Sequence, residues 1–196
     1  MNRTIVIASN NAGKLREISS LLSPLGYALT PQSRFAVTEA DEPYSTFIEN
    51  CLGKARHAAK AIGLPALADD SGLCVSALGG APGVRSARYA GHPGSDAANN
   101  AKLIAALTGV EQRDAYYYCV MVYLRHADDP QPLIAEGLWR GEIIDDARGA
   151  GGFGYDPHFY IPQLDKTAAE LGMTEKNAIS HRSRALASLA AQLKNL

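Results

Sequence analysis

The chain has 196 residues, enough for one domain whose core buries roughly 70% of the surface that the unfolded chain exposes. Its 19 basic and 20 acidic residues nearly cancel, which argues against nucleic-acid or membrane-surface binding and leaves only small, locally held polyanions as ligands. Three separate cysteines in apolar surroundings fit buried thiols better than disulfides or a zinc site. Since neither a signal peptide nor a membrane-spanning apolar run is found, we expect a cytoplasmic protein.

The chain begins with a pattern of strand, polar loop and helix. Residues 4–8 are a short apolar run typical of a buried strand, and a helix with one apolar face follows. The loop between them consists of Ser9, Asn10, Asn11, Ala12, Gly13 and Lys14. A cation at a helix start is disfavoured by the helix dipole unless an anion lies nearby, so we interpret this loop as a phosphate site. The alternative is an ordinary asparagine cap followed by a solvated lysine.

An acidic stretch precedes the second predicted helix. Asp41 and Glu42 lie in a polar segment, and Thr46 with Glu49 fits a capping box that opens a helix ending at Gly63. Such acidic segments are usually solvated loops. Because this helix leads directly to two further carboxylates, an oxygen-rich metal site shared by both regions is the other interpretation.

Those two carboxylates, Asp69 and Asp70, are bracketed by the short apolar stretches 66–68 and 73–75. Because desolvated like charges repel, we expect the pair at strand ends or in a turn, neutralised by a divalent cation. Ser71 adds a hydroxyl, and Gly72 permits a sharp turn. A solvated turn between two strands is the alternative.

The middle of the chain predicts further alternating elements. A glycine-rich and arginine-containing loop covers residues 79–89, and Asp96 is expected to cap a helix that ends at Gly109. Residues 115–124 form a long aromatic and β-branched strand, and residues 133–144 contain one or two more. Strands in the middle with helices at both ends indicate an α/β fold, a mixed β-sheet flanked by helices.

Two C-terminal segments carry candidate ligand-binding groups. In the glycine-rich stretch 149–157, Phe153 and Tyr155 offer the flat faces on which a purine base stacks, or else they are core aromatics of a hairpin. Farther on, Ser180 is expected to cap the last helix. His181 and Arg182 then stand at that helix start, where an anion or an electronegative base edge is the expected partner.

Taken together, these motifs closely resemble the inosine triphosphate pyrophosphatase family, particularly its bacterial XTP/dITP diphosphatases. The motifs lie in the family's order and extend nearly end to end: residues 9–14, 68–73, 79–83, 86–89, 152–157 and 180–182. The resemblance implies a single domain over residues 1–196, an elongated mixed sheet with two lobes and a central substrate cleft, and a homodimer. It also implies Mg²⁺-dependent hydrolysis of ITP, dITP and XTP to the monophosphate and pyrophosphate.

The resemblance further implies roles for individual residues. The loop from Ser9 to Lys14 would hold the triphosphate, Ser71 would contact the substrate, and Asp70 would bind Mg²⁺ and act as base for the attacking water. The base pocket would consist of Phe153, Gly154, Tyr155, Asp156, Lys176, His181 and Arg182. The acidic stretch departs from the Glu-Glu-Thr-Gly-like run usual in the family, so Asp41 and Glu42 both remain candidates for a further metal ligand.

Three other functions fit parts of the same pattern. A non-catalytic nucleotide-binding protein would use the phosphate loop and base pocket without needing the carboxylates. A Maf-like pyrophosphatase would act on other bases, and a metal-dependent phosphatase would release orthophosphate instead of pyrophosphate.

Overall fold

The protein is described here by a computed structural model covering residues 3–10 and 12–195. Within these residues, seven strands form one mixed sheet in the order β2-β1-β3-β4-β5-β6-β7. The strands are β1 (Arg3–Ile7), β2 (Tyr27–Pro31), β3 (Ala66–Val75), β4 (Asp114–Leu124), β5 (Leu133–Ile143), β6 (Phe159–Ile161) and β7 (Lys166–Thr167). Strand β1 pairs in parallel with β2 and β3, whereas β6 pairs antiparallel with β5 and β7. The predicted mixed α/β sheet is confirmed.

The α-helices of the described residues are α1 (Ala12–Leu22), α2 (Phe47–Ile62), α3 (Asp96–Ala106), α4 (Met173–Ile179) and α5 (His181–Leu193). Helix α2 has the predicted bounds: the Thr46 hydroxyl oxygen accepts the Glu49 N–H, and Gly63 ends the helix with a φ of +72°. Helix α3 differs, because Ser95 rather than Asp96 caps it, accepting the Ala98 N–H. None of the helices in the described part of the chain is long and apolar enough to cross a membrane.

Two compact units make up the chain, each with its own core. The first unit comprises Met1–Asp70, Cys119–Gly137 and Arg182–Leu196, and its core joins Ile18 of α1, Leu67 of β3 and Leu186 of α5. The second unit comprises Ser71–Tyr118 and Leu138–His181, and its core includes Leu103, Trp139 and Phe159. Both cores are apolar, and all three cysteines are buried and free, as predicted. The cleft implied by the resemblance stays a prediction.

Strand β3 corrects one expectation. The Asp69-Asp70 pair was expected at strand ends or in a turn, but β3 extends without interruption from Ala66 to Val75. Successive side chains of a strand point to opposite faces of the sheet, so the two carboxylates do not face each other. The repulsion on which the expectation rested is thereby reduced, and a continuous strand can carry both charges.

Candidate active site

The alternation of β3 gives each of its two aspartates a different environment. Leu67, two residues before Asp69, packs in the core with α1 and α5, so Asp69 faces these two helices. Asp70 points the other way and contacts Lys54 of α2. A single strand thus presents one carboxylate to each side of the sheet.

Asp69 is held by two cations from helix starts. Its Oδ2 lies 2.8 Å from Lys14 Nζ in the first turn of α1 and 3.6 Å from Arg182 Nε in the first turn of α5. Burial alone would raise the pKa of this carboxyl, but Lys14 and Arg182 outweigh burial and lower the pKa to about 2. The cations that the sequence places unfavourably at helix starts therefore have an anionic partner within the chain.

Asp70 shares the ammonium group of Lys54 with Glu42. Lys54 Nζ lies 2.9 Å from Asp70 Oδ1 and 2.8 Å from Glu42 Oε1, and all three side chains are largely buried. Burial raises the pKa of Asp70 and Glu42 raises it further, while Lys54 opposes both, and the net pKa lies above its ordinary value. Burial would lower the pKa of Lys54, but the two carboxylates raise it overall, so the lysine stays protonated.

The donor set around Lys54 fits a magnesium ion better than a zinc ion. Glu42 and Asp70 offer carboxylate oxygens to one point, whereas no three His, Cys, Asp or Glu side chains of the described residues converge on a metal position. Magnesium is typically bound by one or two carboxylates, with water and substrate phosphates completing six ligands. Glu42 rather than Asp41 makes this contact, and Asp41 lies exposed.

Lys54 was not predicted from the sequence. In α2 it lies seven residues after Phe47, three after Cys51 and four before Ala58, on the side that the apolar periodicity assigns to the core. A lysine at such a position needs a buried anion as partner. The charged residue among the apolar positions of α2 was therefore the sequence signal that could have identified Lys54.

The predicted phosphate loop lies at the carboxyl end of β1. The Ala8 N–H donates to the Leu67 carbonyl at 2.8 Å, so this end of β1 runs beside the residues that lead to Asp69. Ser9 is half-buried, and the Asn10 amide donates to Glu39 Oε1 at 3.2 Å. Gly13 and Lys14 belong to the first turn of α1, which Ala12 begins. Asn11 lies outside the described residues.

In the second unit, Asp156 organises the glycine-rich stretch. Its buried carboxylate accepts the Phe153 N–H at 2.9 Å and the Tyr117 hydroxyl at 3.3 Å, and it forms an ion pair with Lys176. A Cβ on Gly152 would lie 2.1 Å from Asp156 Oδ2, and Gly152 has a φ of +73°. Only glycine permits this close approach.

Phe153 and Lys176 form an exposed aromatic and cationic surface. The Phe153 side chain is 64% exposed, and Lys176 Nζ lies 4.9 Å from its ring centroid. Aromatic rings of the core are buried, whereas a ring on which a base stacks has to be exposed. Asp156 holds both residues, through the backbone of Phe153 and the side chain of Lys176.

His181 is packed against an aromatic residue that sequence reasoning missed. The Tyr117 ring stacks on the His181 ring with centroids 4.8 Å apart and planes 11° apart, while its hydroxyl donates to Asp156. Tyr117 also contacts Trp139 and Phe159. In the sequence it was one of three consecutive tyrosines in a predicted strand, and nothing distinguished it from its neighbours.

The remaining predicted base-pocket residues are distributed differently. Arg182 contacts Asp69 within the first unit. Tyr155 is a core residue whose hydroxyl donates to the Ser86 carbonyl at 2.7 Å. Gly154 is fastened to α3, because Asp96 accepts its N–H and the Asn100 amide donates to its carbonyl. Ser71 follows Asp70 on β3 and is half-buried.

Comparison with known proteins finds similarity over almost the whole chain. Residues 5–192 match the family model of the Ham1 family. A dITP/XTP pyrophosphatase of Nitrosomonas europaea is 67% identical over 98% of this chain and 95% of its own length. A dITP/XTP pyrophosphatase of Ralstonia nicotianae is 63% identical over 98% of this chain and 97% of its own length. The solved structure of a HAM1 protein from Coxiella burnetii has a TM-score of 0.96 and 49% identity, with 100% of both chains covered.

The lowered pKa of Asp69 predicts how stability changes with pH. A carboxyl group whose pKa falls from about 4 in the unfolded chain to about 2 in the folded protein contributes about 2 kcal/mol above pH 4. This contribution is lost as the pH decreases toward 2. In urea unfolding at pH 6, 4 and 3, Asp69→Asn should therefore show a weaker loss of stability with acid than the wild type.

The control for this measurement is Asp128→Asn, which changes an exposed aspartate in a loop. It should leave the dependence of unfolding free energy on pH as in the wild type. If Asp69→Asn retains the full acid dependence, Asp69 does not have the lowered pKa.

Proposed function

Because the chain belongs to the Ham1 family, we propose that it hydrolyses the non-canonical purine nucleotides dITP, ITP and XTP to monophosphate and pyrophosphate. The observation that carries this proposal is the buried cluster of Asp70, Lys54 and Glu42, a carboxylate with raised pKa beside a second carboxylate and a cation. The names of the relatives, dITP/XTP pyrophosphatases at 60–67% identity, support this choice of substrates. The enzyme would thereby cleanse the nucleotide pool.

Magnesium is the cofactor that we propose, held by Glu42 and Asp70. When bound, it would neutralise phosphate charge and make the attacking water more acidic. The support lies in the donor set, because both carboxylates already converge on one positive charge, the Lys54 ammonium. Asp41 remains a second candidate ligand from the sequence, although Glu42 has the supporting contact.

Asp70 is the proposed general base. Burial raises its pKa, which is the direction that favours a base, because a base works best when its pKa approaches the working pH. Bound Mg²⁺ would act in the opposite direction. It would take the proton from a water in line with the α-phosphorus, while the side chains of Lys14 and Lys54 would offset the charge of the departing pyrophosphate. Cleavage of the α–β anhydride bond then yields the monophosphate and pyrophosphate.

Base selection is assigned to the surface around Asp156. The 6-oxo group of hypoxanthine and xanthine accepts hydrogen bonds, so cationic and N–H donors such as Lys176 and His181 suit it. Adenine presents an amino group at the same position and would leave these donors unpaired, which is how a site discriminates strongly. Phe153 would supply the stacking face.

We also propose that the protein acts as a homodimer in the cytoplasm. The homodimer is implied by the resemblance of its motifs to the inosine triphosphate pyrophosphatases, and a cytoplasmic location fits the proposed cleansing of the nucleotide pool.

A nucleotide panel with identified products tests the proposed function. With Mg²⁺, we expect rapid release of pyrophosphate from dITP, ITP and XTP, slow release from dGTP and dATP, and loss of activity with EDTA. Release from dTTP or UTP instead would indicate a Maf-like pyrophosphatase, and orthophosphate as the first product would indicate a phosphatase. Binding without any product would indicate a nucleotide-binding protein.

The role of Asp70 is tested by Asp70→Asn, which keeps the shape of the side chain but removes its ability to accept a proton. We expect kcat for dITP to decrease by about 100-fold or more, the usual cost of losing a positioned base. Asp128→Asn, in an exposed loop, is the matched control and should turn over normally. Near-normal turnover of Asp70→Asn would contradict the role of Asp70 as base.

The stacking role of Phe153 is tested by Phe153→Leu, which keeps an apolar side chain but removes the ring. Since stacking of a base on an aromatic ring is worth about 1–3 kcal/mol, we expect KM for dITP to increase about tenfold with little change in kcat. Leu164→Ala, which alters another exposed apolar residue of the second unit, should leave both constants unchanged. An unaltered KM in Phe153→Leu would rule out stacking on this ring.

A further inference from the structure

Helix α2 carries a row of polar side chains that contact the segment before it. Asn50, Lys54 and His57 are spaced four and three residues apart, so they lie along one face of the helix. They contact Tyr44, Glu42 and Thr38, respectively, so the segment runs along this face in the opposite direction to the helix. Residues 37–46 form neither helix nor strand.

A segment without regular structure has to find other partners for its backbone groups. Asn50 supplies two of them to Tyr44: its Oδ1 accepts the Tyr44 N–H at 3.0 Å, and its Nδ2 donates to the Tyr44 carbonyl at 3.1 Å. Asn50 is 1% exposed, so these bonds are shielded from water. His57 Nε2 lies 2.9 Å from the Thr38 carbonyl and adds a contact on the other side of Glu42.

We propose that Asn50 is a positioning residue: it fixes the segment through both backbone groups of Tyr44 and thereby holds Glu42 beside Asp70. This inference rests on the proposed function, in which Glu42 and Asp70 bind magnesium. The path is short, because Tyr44 is only two residues after Glu42 and Asn50 is one helical turn before Lys54. His57 acts in the same way from Thr38, through a single contact.

The chemistry of the amide explains why an asparagine stands here. Only a side chain that donates and accepts at once can pair both backbone groups of Tyr44. An aspartate would accept the N–H but could not donate to the carbonyl when ionised, and an alanine would leave both groups without this partner. Without the clamp, Glu42 would have to be ordered each time a metal binds, which weakens binding.

The experiment measures Mn²⁺ binding to the nucleotide-free protein by electron paramagnetic resonance, with Mn²⁺ as the probe for the magnesium site. The variants are Asn50→Ala, Glu42→Gln and the double variant. Loss of a residue that orients a metal ligand typically weakens metal binding 10–100-fold, so we expect at least a tenfold higher Mn²⁺ dissociation constant for Asn50→Ala. In the Glu42→Gln background, the same change should have little further effect, because Asn50 acts through Glu42.

Asn99→Ala is the matched control. Asn99 is a buried asparagine of α3 that clamps a loop in the same manner, accepting the Ala90 N–H and donating to the Ala87 carbonyl. It should lower the unfolding temperature much as Asn50→Ala does, yet leave Mn²⁺ binding unchanged. If Asn50→Ala does not fold, His57→Ala replaces it, with an expected threefold weakening of Mn²⁺ binding.

Equal Mn²⁺ affinity of Asn50→Ala and wild type, or of His57→Ala and wild type where that variant is used, would overturn the inference. So would a full additional loss in the double variant. If the wild type releases pyrophosphate and Asn50→Ala keeps its Mn²⁺ affinity, the role of Asn50 is overturned but the proposed function is not. A wild type that cleaves none of the purine nucleotides overturns the proposed function instead.

Discussion

Two adjacent carboxylates on one strand can both lie next to a hydrophobic core because each faces its own cations. Asp69 is paired with Lys14 and Arg182, and Asp70 is paired with Lys54 on the other side of the sheet. An uncompensated buried charge would cost several kcal/mol, so the three helices that supply these cations are tied to β3 electrostatically as well as by packing. The arrangement of α1, α2 and α5 around β3 depends on this neutralisation.

The same principle recurs in the second unit with a different outcome. Asp156 is a buried carboxylate neutralised by Lys176, but its remaining acceptor capacity is used by the Phe153 N–H and the Tyr117 hydroxyl. One carboxylate thereby fixes a backbone segment, a cation and an aromatic ring. In the first unit Asp70 shares one cation with a second carboxylate, whereas in the second unit Asp156 holds the local backbone in place.

Local sequence patterns predicted much of the fold. The Thr46 cap and Gly63 bound α2 correctly because both signals act within a few residues. Helix α4 was missed because its seven residues, Met173–Ile179, are mostly polar and show no apolar stripe. The family assignment from the motifs is confirmed, since the motifs depend on residue identity and not on tertiary contacts.

Sequence reasoning singled out candidate residues of the site from their local setting, but it could not assign their partners. Asp70 and Lys14 stood out locally, but the pairing of Lys14 with Asp69 joins positions far apart in the chain. Repulsion between Asp69 and Asp70 was overestimated because strand alternation was not combined with the charges. Lys54 was overlooked because the apolar residues of α2 were used to define its buried side, and a single charged residue on that side was ignored.

The chain passes repeatedly from one compact unit to the other, and β3, β4 and β5 each contribute residues to both. No single cut of the chain therefore separates the two units from each other. The second unit therefore cannot be exchanged as one continuous module, as a domain can in proteins with consecutive domains. Changes within residues 71–118 and 138–181 have to arise by point substitutions, and each of these must also be tolerated by strands that continue into the other core.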